Sequence, residues 1–348
     1  MLIEIKRINN YSLNLFIMKR IALFCGSLLI AATMLFVACG KDKEPTINKF
    51  FTIDNATLIA ENMPGATCDR TIDVLLNGRV IPGGSSYVTV TSENVAKKIL
   101  IGLKDQVGYW EYTIPQSNDR DYSYSFVLLV DQNIALPDGQ DALEILVAVV
   151  DESGDISQIW QTPVQIIEVG TGGLQVSLSF DNAKDVDLHL IEPEYTNEWG
   201  DPAYFYERHI YYSNRMSSAG GELDLDSNPG CSLDYVNNEN ITYNDSTAFI
   251  PAGTYKVYVD MYSNCDASIA TNYVVTVFYG GNLIATKAGV FEVGAESTYN
   301  PISEEYVEAN EPFLSFTIAD HGQKCMKSFA PAPMTESAIE KEANAAHK

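Results

Sequence analysis

Basic side chains are scarce in this chain of 348 residues. It has 22 Lys and Arg against 46 Asp and Glu, a net charge of −24. Such a field repels phosphate backbones and anionic surfaces, so nucleic acid is excluded as a partner and cations are favoured. Histidine is scarce too: His189, His209, His321 and His347 lie far apart. No Gly-x-Ser-x-Gly elbow, HExxH pair or phosphate-binding glycine loop is present, so the motif-borne chemistries have no footing and an enzyme is not expected. Six cysteines occur, none in a CxxC spacing, which removes zinc-ribbon and thioredoxin chemistry. Long apolar runs are absent apart from residues 21–37, a 17-residue stretch too short and wrongly flanked for a membrane span.

That stretch has another use. Met18-Lys19-Arg20 gives it a basic start, and Leu35-Phe36-Val37-Ala38-Cys39 ends it with a small residue before a cysteine. The ending resembles the bacterial lipobox, with Phe36 where leucine is usual. The resemblance implies a signal peptide over residues 1–38, with the true start at Met18, and a mature chain beginning at a lipidated Cys39. Its membrane partner would be reached through that lipid anchor. Without residues 1–38 the chain keeps 18 basic and 45 acidic residues, a net of −27. Gly40-Lys41-Asp42-Lys43-Glu44 resembles the sorting signal of outer-membrane lipoproteins. Residues 39–49 are then a lipidated tether, and the location is the outer membrane, facing the periplasm or the cell surface. A cleaved secretory peptide or a single anchor helix would also export residues 40–348.

Beyond the tether, short apolar or alternating runs are broken by turn residues, the pattern of strands. In residues 50–169 they fall at 72–76, 79–81, 87–91, 99–103, 109–114, 122–130, 143–150 and 156–169, with Asn77-Gly78 marking a hairpin. This density fits a β-sandwich of immunoglobulin or fibronectin type, with Trp110 and Trp160 as packing residues. Residues 170–173 (Gly-Thr-Gly-Gly) read as a linker with little to pack. A second, jelly-roll-like β-sandwich is expected over 174–318, with runs at 174–180, 186–191, 209–212, 247–250, 254–262, 273–279, 283–291 and 313–318 and a turn at Gly280-Gly281. Residues 319–348 read as a flexible tail. The fold class is all-β, two sandwiches in tandem.

One constellation could hold a ligand. In 185–190 (Asp-Val-Asp-Leu-His-Leu) the period is two, so Asp185, Asp187 and His189 share one strand face and the aliphatic residues the other. Residues 221–226 (Gly-Glu-Leu-Asp-Leu-Asp) repeat the pattern with Asp224 and Asp226. Converging carboxylates repel unless a cation neutralises them, and calcium takes oxygen ligands of this kind. The expected metal ligands are Asp185, Asp187, Asp224 and Asp226, with Glu239 or Asn240 completing the shell and His189 outside it. The alternative is a solvated acidic face with His189 bonded to a carboxylate. Cys231 and Cys265 lie in the same half of the chain, and a disulfide between them or unpaired thiols are both open.

These segments, with Leu178-Ser179-Phe180, Glu192-Pro193, Glu239-Asn240-Ile241 and Pro251-Ala252-Gly253-Thr254-Tyr255, stand in an order that resembles the YfaP-like family over residues 174–294. That family is a bacterial β-sandwich domain of exported proteins whose function is uncharacterised, so the resemblance implies a fold and no reaction. The chain departs from it in an insert at 195–208 and in Asn228-Pro229-Gly230-Cys231, which separates the second acidic pair from Glu239.

The insert carries Tyr195, Trp199, Tyr204, Phe205 and Tyr206, followed by Tyr211 and Tyr212. Exposed, such rings stack on sugars or anchor protein partners; self-packed, they cover a sheet edge. Asp245-Ser246-Thr247 resembles a bacterial O-glycosylation acceptor. The expected function is a non-enzymatic, lipid-anchored structural or adhesive envelope module stabilised by calcium. A glycan-binding lipoprotein is the alternative and an envelope protein a further partner. Nothing positions Asp187 and Asp224 across a cleft, so a glycoside hydrolase ranks below both.

Overall fold

The computed structural model describes residues 44, 46–115, 122–136, 139–197, 199–244, 249–298 and 302–319. The signal peptide, Cys39, the O-glycosylation acceptor and the tail beyond Ala319 lie outside the described residues. Ten strands come first: β1 (Phe51–Ile53), β2 (Thr57–Ile59), β3 (Ile72–Leu75), β4 (Arg79–Val80), β5 (Ser85–Ser92), β6 (Ala96–Leu103), β7 (Tyr109–Thr113), β8 (Ser123–Val130), β9 (Ala142–Asp151) and β10 (Trp160–Ile166). They form the sheets β1-β8-β5-β3 and β2-β7-β6-β9-β10-β4. Alternation decides which side faces inward: Leu143, Ile145, Val147 and Val149 of β9 meet Val88 and Val90 of β5 in one buried cluster. Each fully buried aliphatic side chain contributes about 1.5–3 kcal/mol relative to exposure. Trp110 belongs to this core and its Nε1–H donates to Phe51 O at 3.2 Å.

The second set is β11 (Leu174–Phe180), β12 (Asp185–Ile191), β13 (His209–Ile210), β14 (Gly221–Leu225), β15 (Asn238–Tyr243), β16 (Gly253–Ser263), β17 (Thr271–Tyr279), β18 (Asn282–Phe291) and β19 (Leu314–Ile318). Two short helices, α1 (Phe205–Arg208) and α2 (Glu304–Ala309), interrupt it. Its sheets are β14-β15-β11-β17-β18 and β13-β12-β16-β19. Leu174, Val176, Leu178 and Phe180 pack with Val186, Leu188, Leu190, Tyr255 and Val257 in a second core. The fold is therefore all-β, four sheets around two cores. Gly280 and Gly281, both at positive φ, turn β17 into β18 as the sequence suggests. Among the described residues no helix is long and apolar enough to cross a membrane.

Two local expectations fail. Asn77-Gly78 does not make a hairpin: β3 pairs with β5 in one sheet while β4 runs parallel to β10 in the other. Asn77 is instead buried, its N–H donating to Ser86 Oγ at 3.1 Å and its Nδ2 to Phe180 O at 2.8 Å. Residues 170–173 are also not a loose linker. The Gly170 N–H donates to Asp224 Oδ2 and its carbonyl accepts from Asn240 Nδ2 at 3.0 Å. A Cβ on Gly172 would stand 1.8 Å from Tyr243 O, so the glycine is required by close approach and not by flexibility.

The two cores meet across polar side chains, with Val274 and Phe278 buried on the same β17 face as Thr276. On β11 the residues alternating with the core, Gln175, Ser177 and Ser179, are buried against the first half of the chain. Gln175 Nε2 donates to Pro82 O at 2.7 Å and Gln175 Oε1 accepts from Gln132 Nε2 at 2.7 Å. Ser179 Oγ accepts from Ser85 N at 3.1 Å, and Thr276 Oγ1 donates to Gly83 O at 2.7 Å.

Candidate functional site

The candidate site is built around β12. This strand pairs along its length with β16 on one side, but with β13 only at Leu190 and Ile191 on the other. The edge at 186–188 is therefore open to side chains. Glu239 fills it. On β15 it alternates with Asn238 and Asn240 and shares the inward face with Ile241 and Tyr243, so its carboxylate enters the mouth of the second core. There Glu239 Oε2 accepts the Leu188 N–H at 2.7 Å.

Around this edge lie more carboxylates. Asp185 and Asp187 stand on the β12 face opposite the core, and Asp260 of β16 is the cross-strand partner of Asp187. Asp226 follows β14 and has Arg215 Nη1 3.4 Å from its Oδ2. Among the described residues no ion pair reaches Asp185, Asp187, Asp260 or Glu239. Asp187 is 3 % exposed and Glu239 1 %, and one oxygen of each, Asp187 Oδ2 and Glu239 Oε1, is buried with no hydrogen-bond partner. An unpartnered buried carboxylate oxygen is among the costliest groups a fold can hold.

Burial and mutual repulsion move these groups together. Burial first, then the Asp185, Asp226 and Asp260 charges, push Asp187 up to about 8. Burial pushes Asp185 up to about 6 despite the Gly230 N–H on its Oδ2, and Asp260 likewise up to about 6. Glu239 lies well above the usual carboxyl range because it is buried beside Asp187 and Asp226. The carboxyls are neighbours around an edge and not a finished cage. Among the described residues no three His, Cys, Asp or Glu side chains stand in a metal-holding arrangement. A cation could neutralise them, and so could protons; the chemistry of the donors, all oxygens, suits a hard ion.

The expected ligand set changes in three ways. Asp224 is not in the cluster: a bulge between Leu223 and Leu225 breaks the alternation, and Asp224 faces Gly170 and Asn240, whose Nδ2 donates to its Oδ1 at 2.7 Å. Asn240 is turned toward the same contact, away from Glu239. Asp260 joins instead. The run Val257-Tyr258-Val259-Asp260-Met261 placed it on a non-core strand face, but only register with β12 sets it opposite Asp187.

Nor is the acidic face solvated. His189 does not bond a carboxylate: its Nδ1 lies 2.9 Å from His209 Nε2, with Tyr211 stacked on both rings. Burial and the neighbouring imidazole hold His189 well below its ordinary value, and burial lowers His209 to about 4, so both are neutral and supply no counter-charge. Past the strand end Glu192, unremarked as a site in the sequence, is buried with Oε1 accepting from Ser217 Oγ at 2.7 Å and Tyr243 O–H at 2.5 Å. Burial pushes it up to about 7.

No family model and no curated protein match this chain. The site has to be read from its own geometry.

Cys231 and Cys265 are joined by a disulfide with Cα atoms 5.7 Å apart. The aromatic insert divides. Tyr195 is part of the fold, edge-on to Phe249 with its hydroxyl donating to Glu207 O at 3.4 Å. Trp199, Tyr204 and Tyr206 are 72 %, 65 % and 66 % exposed, and the two tyrosine rings lie 5.8 Å apart with planes 6° from parallel. Of the insert's candidate sugar-stacking rings Tyr195, Trp199, Tyr204 and Tyr206, the last three are therefore exposed at the surface and Tyr195 is not.

A carboxyl with a raised folded-state pKa binds its proton more tightly folded than unfolded, so stability is full below its unfolded value, near 3.8 for Asp, and drains away as pH rises through the folded value. In chelator, the melting temperature of the second core should fall steadily from pH 4 through 6, where Asp185 and Asp260 titrate, to 8, where Asp187 does. Asp187→Asn should flatten the upper part of that slope, leaving the contributions of Glu192 and Glu239. Calorimetry across this range checks it; a melting temperature that rises with pH would refute the burial argument.

Proposed function

We propose that the chain is a non-enzymatic, lipid-anchored envelope protein whose second core is a structural or adhesive module stabilised by calcium. The observation that carries the cation is the pair of buried, unpartnered oxygens on Asp187 and Glu239, with no ion pair from the described residues to either group. Asp185, Asp187, Asp226, Asp260 and Glu239 would hold the ion. The envelope location rests on the signal-like residues 18–39, and the outer membrane on residues 40–44. The resemblance to the YfaP-like family supports an exported β-sandwich and adds no activity.

A ligand that binds only the folded state stabilises it by RT ln(1 + [L]/Kd), about 2.7 kcal/mol at a hundredfold excess over Kd. At pH 7.5 (a value about midway between neutrality and the Asp187 titration) calcium should raise the melting temperature over chelator. Magnesium should do less, since it holds its waters and demands a stricter octahedron. Glu239→Gln should reduce the calcium response while keeping its bond to Leu188. Superimposable calcium and chelator curves from stripped protein would leave protons as the neutralising partner.

Anchoring is tested by metabolic labelling with an alkyne fatty acid. The wild-type chain should label and sediment with membranes, and Cys39→Ala should do neither; a labelled Cys39→Ala protein would remove the lipoprotein reading.

A second reading, glycan binding, is favoured by the exposed Trp199, Tyr204 and Tyr206. Parallel, exposed rings offer the flat apolar faces that saccharides stack on. On a glycan array the soluble protein should show binding that Trp199→Ala or Tyr206→Ala weakens about tenfold, the effect of losing roughly 1.4 kcal/mol. Binding untouched by either substitution would place it elsewhere.

A further inference from the structure

The segment from Asp226 to Asn238 leaves β14, arches over the start of β12 and returns as β15. Five of its residues hold left-handed backbone: Asn228, Gly230, Cys231, Tyr235 and Asn237, with φ between 55° and 62°. Four of these carry side chains, for which the conformation is unfavourable, so the arch needs restraints to keep its shape.

It has them at two levels. At its base the buried Asn228 donates from Nδ2 to Lys184 O at 3.0 Å and Asn237 Oδ1 at 2.9 Å, and its Oδ1 accepts from Asp234 N at 3.0 Å and Tyr235 N at 3.1 Å. At its tip the Cys231–Cys265 disulfide ties it down. Cys265 lies two residues beyond Ser263, the cross-strand partner of Asp185, so the crosslink straddles that carboxylate. Beneath it the Gly230 N–H donates to Asp185 Oδ2 at 2.7 Å. Leu233 and Tyr235 are exposed on the outside, and Asp234 O accepts from Arg79 Nη1 at 2.6 Å.

We propose that the Cys231–Cys265 disulfide is a latch. Closed, it seals the arch over the carboxyls of Asp185, Asp187 and Glu239; reduced, it lets the tip swing on its Asn228 and Asn237 base and opens them to solvent and to cations. The exchange is a two-electron one. A dithiol of the surroundings attacks one sulfur as thiolate, its second thiol resolves the mixed disulfide, and its two electrons and two protons leave Cys231 and Cys265 as thiols while it becomes a disulfide. The cation half rests on the calcium reading above; the opening itself does not.

The test therefore excludes calcium. In chelator, the full protein is labelled with a carbodiimide and an amine, and each carboxyl is followed by peptide mass spectrometry. Reduction by a dithiol should raise the labelling rate at Asp185, Asp187 and Glu239 by about tenfold or more, as local opening replaces closure. The exposed Glu222 should not change. The paired Cys231→Ser and Cys265→Ser substitutions should reproduce the fast rates without reductant. Amide exchange in β11 and β17 should stay slow throughout.

Unchanged labelling in protein whose two thiols titrate as free would overturn the latch. So would a loss of protection across β11 and β17, because the crosslink would then brace the whole core. Failure to bind calcium would leave the labelling result intact, which separates the two readings. If both hold, calcium added to the reduced protein should equilibrate faster than to the oxidised one.

Discussion

The hydrogen bond from the Leu188 amide to Glu239 closes the mouth of the second core. A strand edge left open at the end of a sandwich must be paired, capped or wet. Here a carboxylate from the opposite sheet caps it, and that choice brings a charge-bearing group into a space already lined by Asp185 and Asp187. Everything around it follows from managing that decision. The neutral histidine pair occupies the rest of the outer face, Arg215 pairs with Asp226 and with no other carboxyl of the cluster among the described residues, and the arch from β14 to β15 reaches Asp185 through the Gly230 N–H. A purely apolar cap would have been cheaper to bury. The cluster is thus the place where the fold departs from the local rules that hold elsewhere in it, and such departures gather at functional positions.

The contact between the two cores follows a different logic. Of its side chains Gln175, Ser179, Thr276 and Asn77 each have a partner across the boundary, beside the buried Val274 and Phe278 of β17. Hydrogen bonds of this kind add little net free energy when made and lose much when left open, so they specify one arrangement more than they strengthen it. The glycines at 170–173 belong to that arrangement. They lie where the chain passes between Tyr243 and Asp224, and any side chain at Gly172 would collide with backbone.

How much of this was legible depended on the range of the signal. Strand alternation is local, and the runs that became β9, β11 and β17 could be read directly from their aliphatic spacing. The Asp185 and Asp187 face was equally plain. What could not be read was which strands become neighbours. Asp260 enters the cluster through register, and Asp224 leaves it through a bulge whose only local trace is an unbroken alternating sequence. Asn77-Gly78 carries the strongest short hairpin signal in the chain, yet the residues on either side go to different sheets because Asn77 is needed at the boundary between cores. Composition misled as well: a glycine-rich stretch looks flexible until something is packed against it.

The polar boundary has one more consequence, for what happens when the halves come apart. Separate two domains that meet through leucines and each presents a sticky face. Separate these, and the faces uncovered are mixed: amides and hydroxyls that water can satisfy in place of their former partners, with the buried Val274 and Phe278 of β17 set beside Thr276. A proteolytic nick between residues 166 and 174 would therefore leave the halves with a reason to stay together, since parting them would wet one small apolar strip on β17 as well as break the bonds around it.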